Sequence, residues 1–207
     1  MTLRYDDVVR DLRASYDGSV KERDAKVKQQ FKLDERAVFL DRLLITEARS
    51  LLEIGAGTGQ DAVFFAEAGL DVTAVDLSPE MVRKCQEKGL EASVRDIKHL
   101  NFPPESFDAV FTVNCLLHVP NEDLPEALRE VRSVLRPGGL LFVGLWGGES
   151  AEGIKDDDDH EPKRFFSSRS DRELFDQLSR FFEVIEFHTI GDGQFHFQSA
   201  TLVRPVP

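Results

Sequence analysis

Three glycines within five residues, with an acid two places ahead, form the densest chemical signal in this 207-residue sequence: Glu53-Ile-Gly55-Ala-Gly57-Thr-Gly59. Glycines let a chain turn sharply and bring its backbone against a ligand. An apolar run at 50–54 precedes the turn and a helical spacing at 60–68 follows it, so the turn joins a strand to a helix. A pyrophosphate cradle wants G-x-G-x-x-G at such a place, with the phosphates on the helix N-terminus. Here Gln60 stands where the last glycine of that pattern belongs, and Glu53 puts negative charge on the strand end. The pattern suits a cationic ligand better than a dinucleotide; a tight turn that binds nothing is the plain alternative. Asp76, 23 residues after Glu53, ends the next strand, where a carboxylate can accept from both hydroxyls of a ribose. It would otherwise cap the following helix, but Ser78 ahead of Pro79 already fills that role.

The elements that must carry these groups alternate. Strands are predicted at 50–54, 71–76, 91–95, 107–113 and 140–146. Helices are predicted over 60–68, from Pro79 to Gly89, and from Asp123 to Arg136, where Pro137-Gly138-Gly139 ends the last. A polar loop of about 20 residues follows, then a helix over 170–180 and two strands, 182–189 and 194–203, joined at Gly191-Asp192-Gly193. Alternation at this spacing implies right-handed crossovers and a mainly parallel sheet. The expected fold is α/β: a doubly wound, mainly parallel seven-stranded sheet with a C-terminal antiparallel strand and N-terminal helices over the site. We expect one domain, with a helical cap at 1–48, a ligand-binding core at 49–146, a lid loop at 147–169, and a helix and hairpin at 170–207.

The stretch LLEIGAGTGQDAVFFAEAGLDVTAVDLSPEMV resembles the first motif and acidic partner of the class I S-adenosylmethionine-dependent methyltransferases. Val94-Arg95-Asp96-Ile97, FDAVFTVNCLLHVP at 107–120 and LRPGGLLFVGLWGG at 135–148 extend the resemblance in order, from about residue 35 to the end. It looks closest to small, stand-alone bacterial enzymes acting on small molecules, with a Rossmann-like fold. The resemblance implies that Glu53 and the turn at Gly55, Ala56, Gly57 and Gly59 hold the methionine part of the cofactor. It implies that Asp76 binds the ribose, that Leu77 packs on the adenine, and that Asp96 and the Ile97 backbone meet the adenine edge. Asn114 would touch the methionine amino group through its backbone. Asp96 as a loop acid and Asn114 as a turn residue are the blander alternatives. Arg36, on an N-terminal helix, would pair with the cofactor carboxylate or else lie on a solvated face.

Methyl transfer from a sulfonium needs an aligned acceptor, a dry site and sometimes removal of a proton. Reactions on such sheets lie beyond the carboxyl ends of the strands, which places 116–120 and 146–150 at the acceptor. His118 is the first candidate base, since its ordinary pKa suits the task; it would otherwise shape the pocket. His196 is the second: Gln194, His196 and Gln198 share one face of a strand and Phe195 and Phe197 the other. It would otherwise be bonded within the sheet. Trp146, the sole tryptophan, packs in the core or stacks on the acceptor, and Arg164 closes over it. Tyr16 is a weaker contact, and His99, His160 and His188 read as surface residues. The acids of Lys155–His160 read as a solvated, mobile lid rather than a metal site, because consecutive aspartates point apart.

The chain carries 26 basic and 38 acidic residues, net −12, and residues 1–48 are neutral. That field repels a phosphate backbone, so no nucleic-acid partner is expected. No apolar run spans a membrane, the start lacks a signal-peptide core, and two cysteines 30 residues apart make no disulfide framework. An intracellular, cytoplasmic protein, monomeric or homodimeric, is expected. It would transfer methyl from S-adenosylmethionine to O, N or S of a small acceptor, leaving S-adenosylhomocysteine. A non-catalytic module that binds this cofactor and works through a protein partner competes with it; a nicotinamide oxidoreductase is disfavoured by the spacing at Gly59-Gln60.

Overall fold

The computed structural model describes residues 3–193 and 195–206. Helices α1 (Tyr5–Gly18), α2 (Val20–Ala25) and α3 (Gln30–Ile45) come first. α1 buries Tyr5, Val8, Leu12 and Ser15, one stripe at helical spacing. α3 buries Phe39 and Leu43, and the Phe39 ring packs on Phe65, Phe111 and Phe142. The predicted alternation follows as β1 (Ser50–Ile54), α4 (Gln60–Glu67), β2 (Asp71–Asp76), α5 (Pro79–Glu87), β3 (Glu91–Val94), β4 (Phe107–Val113), α6 (Leu124–Val134) and β5 (Leu135–Trp146). Ser78 caps α5 by accepting from the Met81 N–H at 3.1 Å, as its position before Pro79 predicts.

The sheet has seven strands in the order β3-β2-β1-β4-β5-β9-β8, where β8 is Glu183–Gly191 and β9 is His196–Val203. Neighbours from β3 to β5 are parallel, and β9 runs antiparallel to both β5 and β8. Its central strands are apolar on both faces, because helices cover both. Leu52, Ile54, Val110, Leu141 and Val143 join α6 and α7 (Asp171–Leu178) in one core, whereas Leu51, Phe111 and Phe142 join α3 and α4 in the other. The strand order reverses between β1 and β4, which is where open sheets of this kind bind ligands. Among the described residues no helix is long and apolar enough to cross a membrane.

Two expectations need correction. Pro137-Gly138-Gly139 does not precede β5 but lies within it: Phe107 pairs with Leu135 and Ala109 with Leu140, so residues 136–139 bulge from the ladder. The segment 147–169 is not one long loop, although Lys155, Asp156, Asp157, Asp159 and Glu161 are exposed as expected. It folds into an antiparallel ribbon of β6 (Ala151–Ile154) and β7 (Phe165–Ser168). Asp158 is turned inward and chelates the Arg164 guanidinium at 2.6 and 3.0 Å, which holds its carboxyl down at about 2 despite burial. Arg169, 0% exposed, locks the ribbon to the segment after β4. Its guanidinium donates to the carbonyls of Leu116 (3.2 Å), Val119 (2.7 Å) and Ser167 (3.1 Å) and to Asn121 Oδ1 (2.7 Å). Burial lowers its pKa to about 10, which still leaves it charged at neutral pH.

Candidate active site

A cavity of about 490 Å³ opens at the carboxyl ends of β1, β2, β4 and β5, roofed by α1 and the segment joining α2 to α3. That is the size of a small-molecule or cofactor site. Its floor is the glycine turn. The amides of Gly55 and Ala56 donate to Val75 O at 2.9 and 3.1 Å, that of Gly57 to Asp76 Oδ2 at 2.8 Å, and that of Gly59 to Ala56 O at 2.9 Å. Four amides of the turn are thus bonded within the protein itself. Gly57, at φ +55°, lines the cavity with nothing within 4 Å of where a Cβ would stand. Gly59, at φ +78°, does not line it; a Cβ there would meet Leu90 Cδ1 at 2.7 Å and Cys85 Sγ at 2.9 Å. Its role is the close seating of α5.

At the inner end, Glu53 is 4% exposed, and its Oε2 has no hydrogen-bond partner among the described residues. Burial, then the neighbouring Asp61, push its carboxyl well above the ordinary value, partly countered by Lys28. Asn114 sits at φ +55°, a left-handed conformation that asparagine tolerates. Its amide donates to Gly144 O at 2.7 Å, while its buried side-chain Oδ1 is unpartnered. Two buried acceptors on residues lining one cavity call for a donor, and beside an acid that donor is a cation. Lys28 lines the same end and bonds Asp61. Arg36, the expected partner of a carboxylate, does not line the cavity. It bonds Asp61 at 2.8 Å from behind, with its guanidinium 3.8 Å from the Phe64 ring centroid.

The next part of the cavity offers a carboxylate acceptor and an apolar wall, as a nucleoside needs. Asp76 is buried; its oxygens accept from Gly57 N and Ser78 N at 2.8 and 2.9 Å, leaving a lone pair on each. Leu77 and Ile97 line the wall. Asp96 does not: it accepts from Lys98 N at 2.8 Å, while its neighbours Arg95 and Ile97 reach the cavity.

The outer end corrects both histidines. His118 is 3% exposed and lines the cavity, but both its nitrogens are taken. Nδ1 lies 2.7 Å from Phe165 O, so it carries the proton; Nε2 then accepts from the Tyr16 hydroxyl at 2.6 Å. Burial drops its pKa to about 3, so it is a neutral, weak base with no open lone pair. Tyr16, 102 residues away in sequence, is therefore the partner that orients it, and Arg164 reaches the same hydroxyl at 3.4 Å. His196 lies outside this cavity. The two faces of β9 are separated as predicted, but the polar one turns to α7, where His196 Nε2 and Gln198 Nε2 both meet Asp171 Oδ1 at 2.7 Å. Gln194, assigned to the same face, lies outside the described residues. His160, read as a surface residue, is half-buried with its ring 6.2 Å from that of Tyr16.

Trp146 lines the cavity within a cluster of Phe31, Phe195 and Phe197. Lys32, not singled out by the sequence, lies over its ring at 4.3 Å. Burial, and then Lys28 and Lys26, lower its pKa to about 8. Cys115 touches the turn, but burial pushes its thiol up to about 12, so it is no nucleophile at neutral pH.

Comparison with known proteins gives the same reading. Residues 51–139 match the family model of a methyltransferase domain. The chain is 30% identical over 159 residues to the 2-methyl-6-phytyl-1,4-hydroquinone methyltransferase of Synechocystis sp., covering 70% of this chain and 47% of that protein. It is 38% identical over 109 residues to the ubiquinone biosynthesis O-methyltransferase of Xanthomonas campestris pv. campestris, covering 49% and 44%. The chain thus spans less than half the length of either relative. Among solved structures it resembles the 1,6-didemethyltoxoflavin-N1-methyltransferase of Burkholderia thailandensis, bound to 1,6-didemethyltoxoflavin and S-adenosylhomocysteine. The TM-score is 0.75 at 22% identity, over 94% of this chain and 88% of that one.

Proposed function

We propose that the chain carries a class I S-adenosylmethionine-dependent methyltransferase domain and transfers a methyl group to an O, N or S atom of a small-molecule acceptor by in-line displacement. The observation that carries this reading is the pair of unpartnered buried acceptors, Glu53 Oε2 and Asn114 Oδ1, beside the glycine turn in one cavity. S-adenosylmethionine supplies a sulfonium-activated methyl group and leaves as S-adenosylhomocysteine. Glu53 and Asn114 receive its ammonium, and Lys28, still bonded to Asp61, receives its carboxylate. Asp76 accepts from the ribose hydroxyls while its bonds to Gly57 and Ser78 hold the turn in shape. Leu77 and Ile97 sandwich the base.

The leaving group is neutral once the methyl departs, so no acid is required. The protein's part at the acceptor end is alignment and exclusion of water. Tyr16 and His118 act there as a rigid pair, with Tyr16 offering its hydroxyl and His118 fixing it. Arg164, held by Asp158, closes that wall. The absence of an open base lone pair on His118 is also the observation favouring the second reading, a module that binds the cofactor and acts through a protein partner. Two buried or half-buried free cysteines suit a reducing compartment, and we place the protein in the cytoplasm as a monomer or homodimer, apart from nucleic acid.

Isothermal titration with S-adenosylmethionine and S-adenosylhomocysteine tests the cofactor. Micromolar binding of both is expected, and binding of neither refutes the reading. Gain of one methylene by an acceptor, followed by mass spectrometry, separates enzyme from binding module.

A further inference from the structure

Resting on the methyl-transfer reading above, we propose that the acceptor is an anion: a planar, conjugated molecule whose negative group is received by the Lys32 ammonium against the face of Trp146. The lysine's surroundings define this demand. Its ammonium lies 4.3 Å from the Trp146 ring centroid, 5.3 Å from that of Phe197 and 5.7 Å from that of Phe31. Among the described residues it makes no ion pair and no side-chain hydrogen bond. Of the other cations lining the cavity, Lys28 is held by Asp61, Arg164 by Asp158 and Arg95 by the Leu100 and Asn101 carbonyls; Arg23 lies over the Tyr16 ring and Lys26 is exposed, so Lys32 is the one set among the Trp146 and Phe197 rings without an ionic partner among the described residues. Asp61, which raises the Lys32 pKa from a distance, is already shared between Lys28 and Arg36. A cation drawn out of water onto aromatic rings gains part of its solvation back from their faces, but an ionic partner is what removes the remaining penalty.

Two further features agree. The molecule is strongly acidic, net −12, yet Lys26, Lys28 and Lys32 fall in a seven-residue window without an acid, and all three line the cavity. A basic rim on an acidic protein concentrates small anions locally and repels cations. The second feature is the state of His118: its nitrogens are bonded to Tyr16 and Phe165, so the site has no free strong base. An acceptor that arrives ionised requires none. Trp146 lines the cavity, and Phe31 and Phe197 pack edge-on to it at interplanar angles of 77° and 78°, so an aromatic ring with apolar backing stands behind the charge.

The rival anion is the cofactor's own carboxylate, and the test separates the two. Trp146, the only tryptophan, reports the acceptor end by its fluorescence. The full chain, saturated with S-adenosylhomocysteine near neutral pH, is titrated with 4-hydroxybenzoate and with its uncharged isostere 4-hydroxybenzamide. The expected result is binding of the carboxylate at least about tenfold tighter than the amide, lost in Lys32→Met and kept in Lys32→Arg. S-adenosylhomocysteine affinity, from calorimetry, is expected to stay unchanged in both variants, which also shows that they fold. Equal binding of the two probes, binding of neither, or a preference that survives in Lys32→Met overturns the proposal. So does weakened S-adenosylhomocysteine binding in Lys32→Met, which assigns the lysine to the cofactor carboxylate. Failure of the wild-type chain to bind S-adenosylhomocysteine refutes instead the methyl-transfer reading on which the proposal rests.

Discussion

Replacing Glu53 by glutamine keeps the side chain's shape and removes only its ability to carry charge, so it isolates the electrostatic part of cofactor recognition. In the ligand-free protein the Glu53 carboxyl is 4% exposed, beside Asp61, and its pKa is raised well above 4.5. Below that raised value it holds its proton. An ammonium placed against the unpartnered Oε2 favours the ionised form, so binding expels that proton and tightens as the pH rises, by up to about tenfold per unit. A hydrogen bond to a charged group contributes about 1.5–3 kcal/mol, so Glu53→Gln should weaken S-adenosylhomocysteine binding by about 10- to 150-fold. Stability runs the other way. A group whose folded pKa is raised contributes fully below its unfolded pKa, and the contribution is lost as pH rises through the folded value. The ligand-free wild type should thus lose stability over that window, and Glu53→Gln should lose less. Calorimetry between about pH 5.5 and pH 7, where an α-ammonium stays charged, in two buffers of different ionisation enthalpy, measures affinity and proton release together. Wild-type binding without proton release, or equal affinity in Glu53→Gln, refutes the assignment of Glu53 to the ammonium.

Asp76→Ala should lower S-adenosylhomocysteine affinity more than about tenfold, since it removes two charge-assisted acceptors and leaves the Gly57 and Ser78 amides unpaired; unchanged affinity by calorimetry sinks the ribose role. Tyr16→Phe leaves the buried His118 Nε2 without its donor, which should cost about 1–3 kcal/mol in urea-induced unfolding. Unfolding identical to wild type means that the Tyr16–His118 bond is not formed in solution.

The chemistry of the inner site was legible because it is local in sequence. The strand, the glycine turn, Glu53 and Asp76 lie within 27 consecutive residues, and the helix cap at Ser78 follows from its neighbour Pro79. The outer site was not, because its contacts span the chain: Tyr16 to His118, Lys32 to Trp146, and Arg164 to Tyr16. Period-two alternation correctly split Phe197 from His196 and Gln198 across β9, yet it carries no sign, and the polar face met Asp171 rather than the acceptor. Arg36 and Lys28 are both cations ahead of the first strand; only packing on Phe64 decides that the arginine faces away. The ribbon stayed hidden because Ala151–Ile154 is exposed along nearly its whole length and shows no apolar alternation, and because an acid-rich run reads as solvated when one member, Asp158, is in fact paired inward.

Arg169 has a consequence for how such a scaffold changes substrates. Its guanidinium binds three carbonyls and one amide oxygen contributed by the ribbon and by the stretch from Leu116 to Asn121. Those two stretches are separate in the gene but are one part mechanically, since neither can shift without breaking bonds of a buried cation. Recombination that imports a foreign 147–169 alone would deliver an arginine whose docking carbonyls are misplaced, or the carbonyls without the arginine. The unit that shapes this wall of the cavity is therefore a matched pair of segments, and chimaeras that carry both together are the ones that should fold.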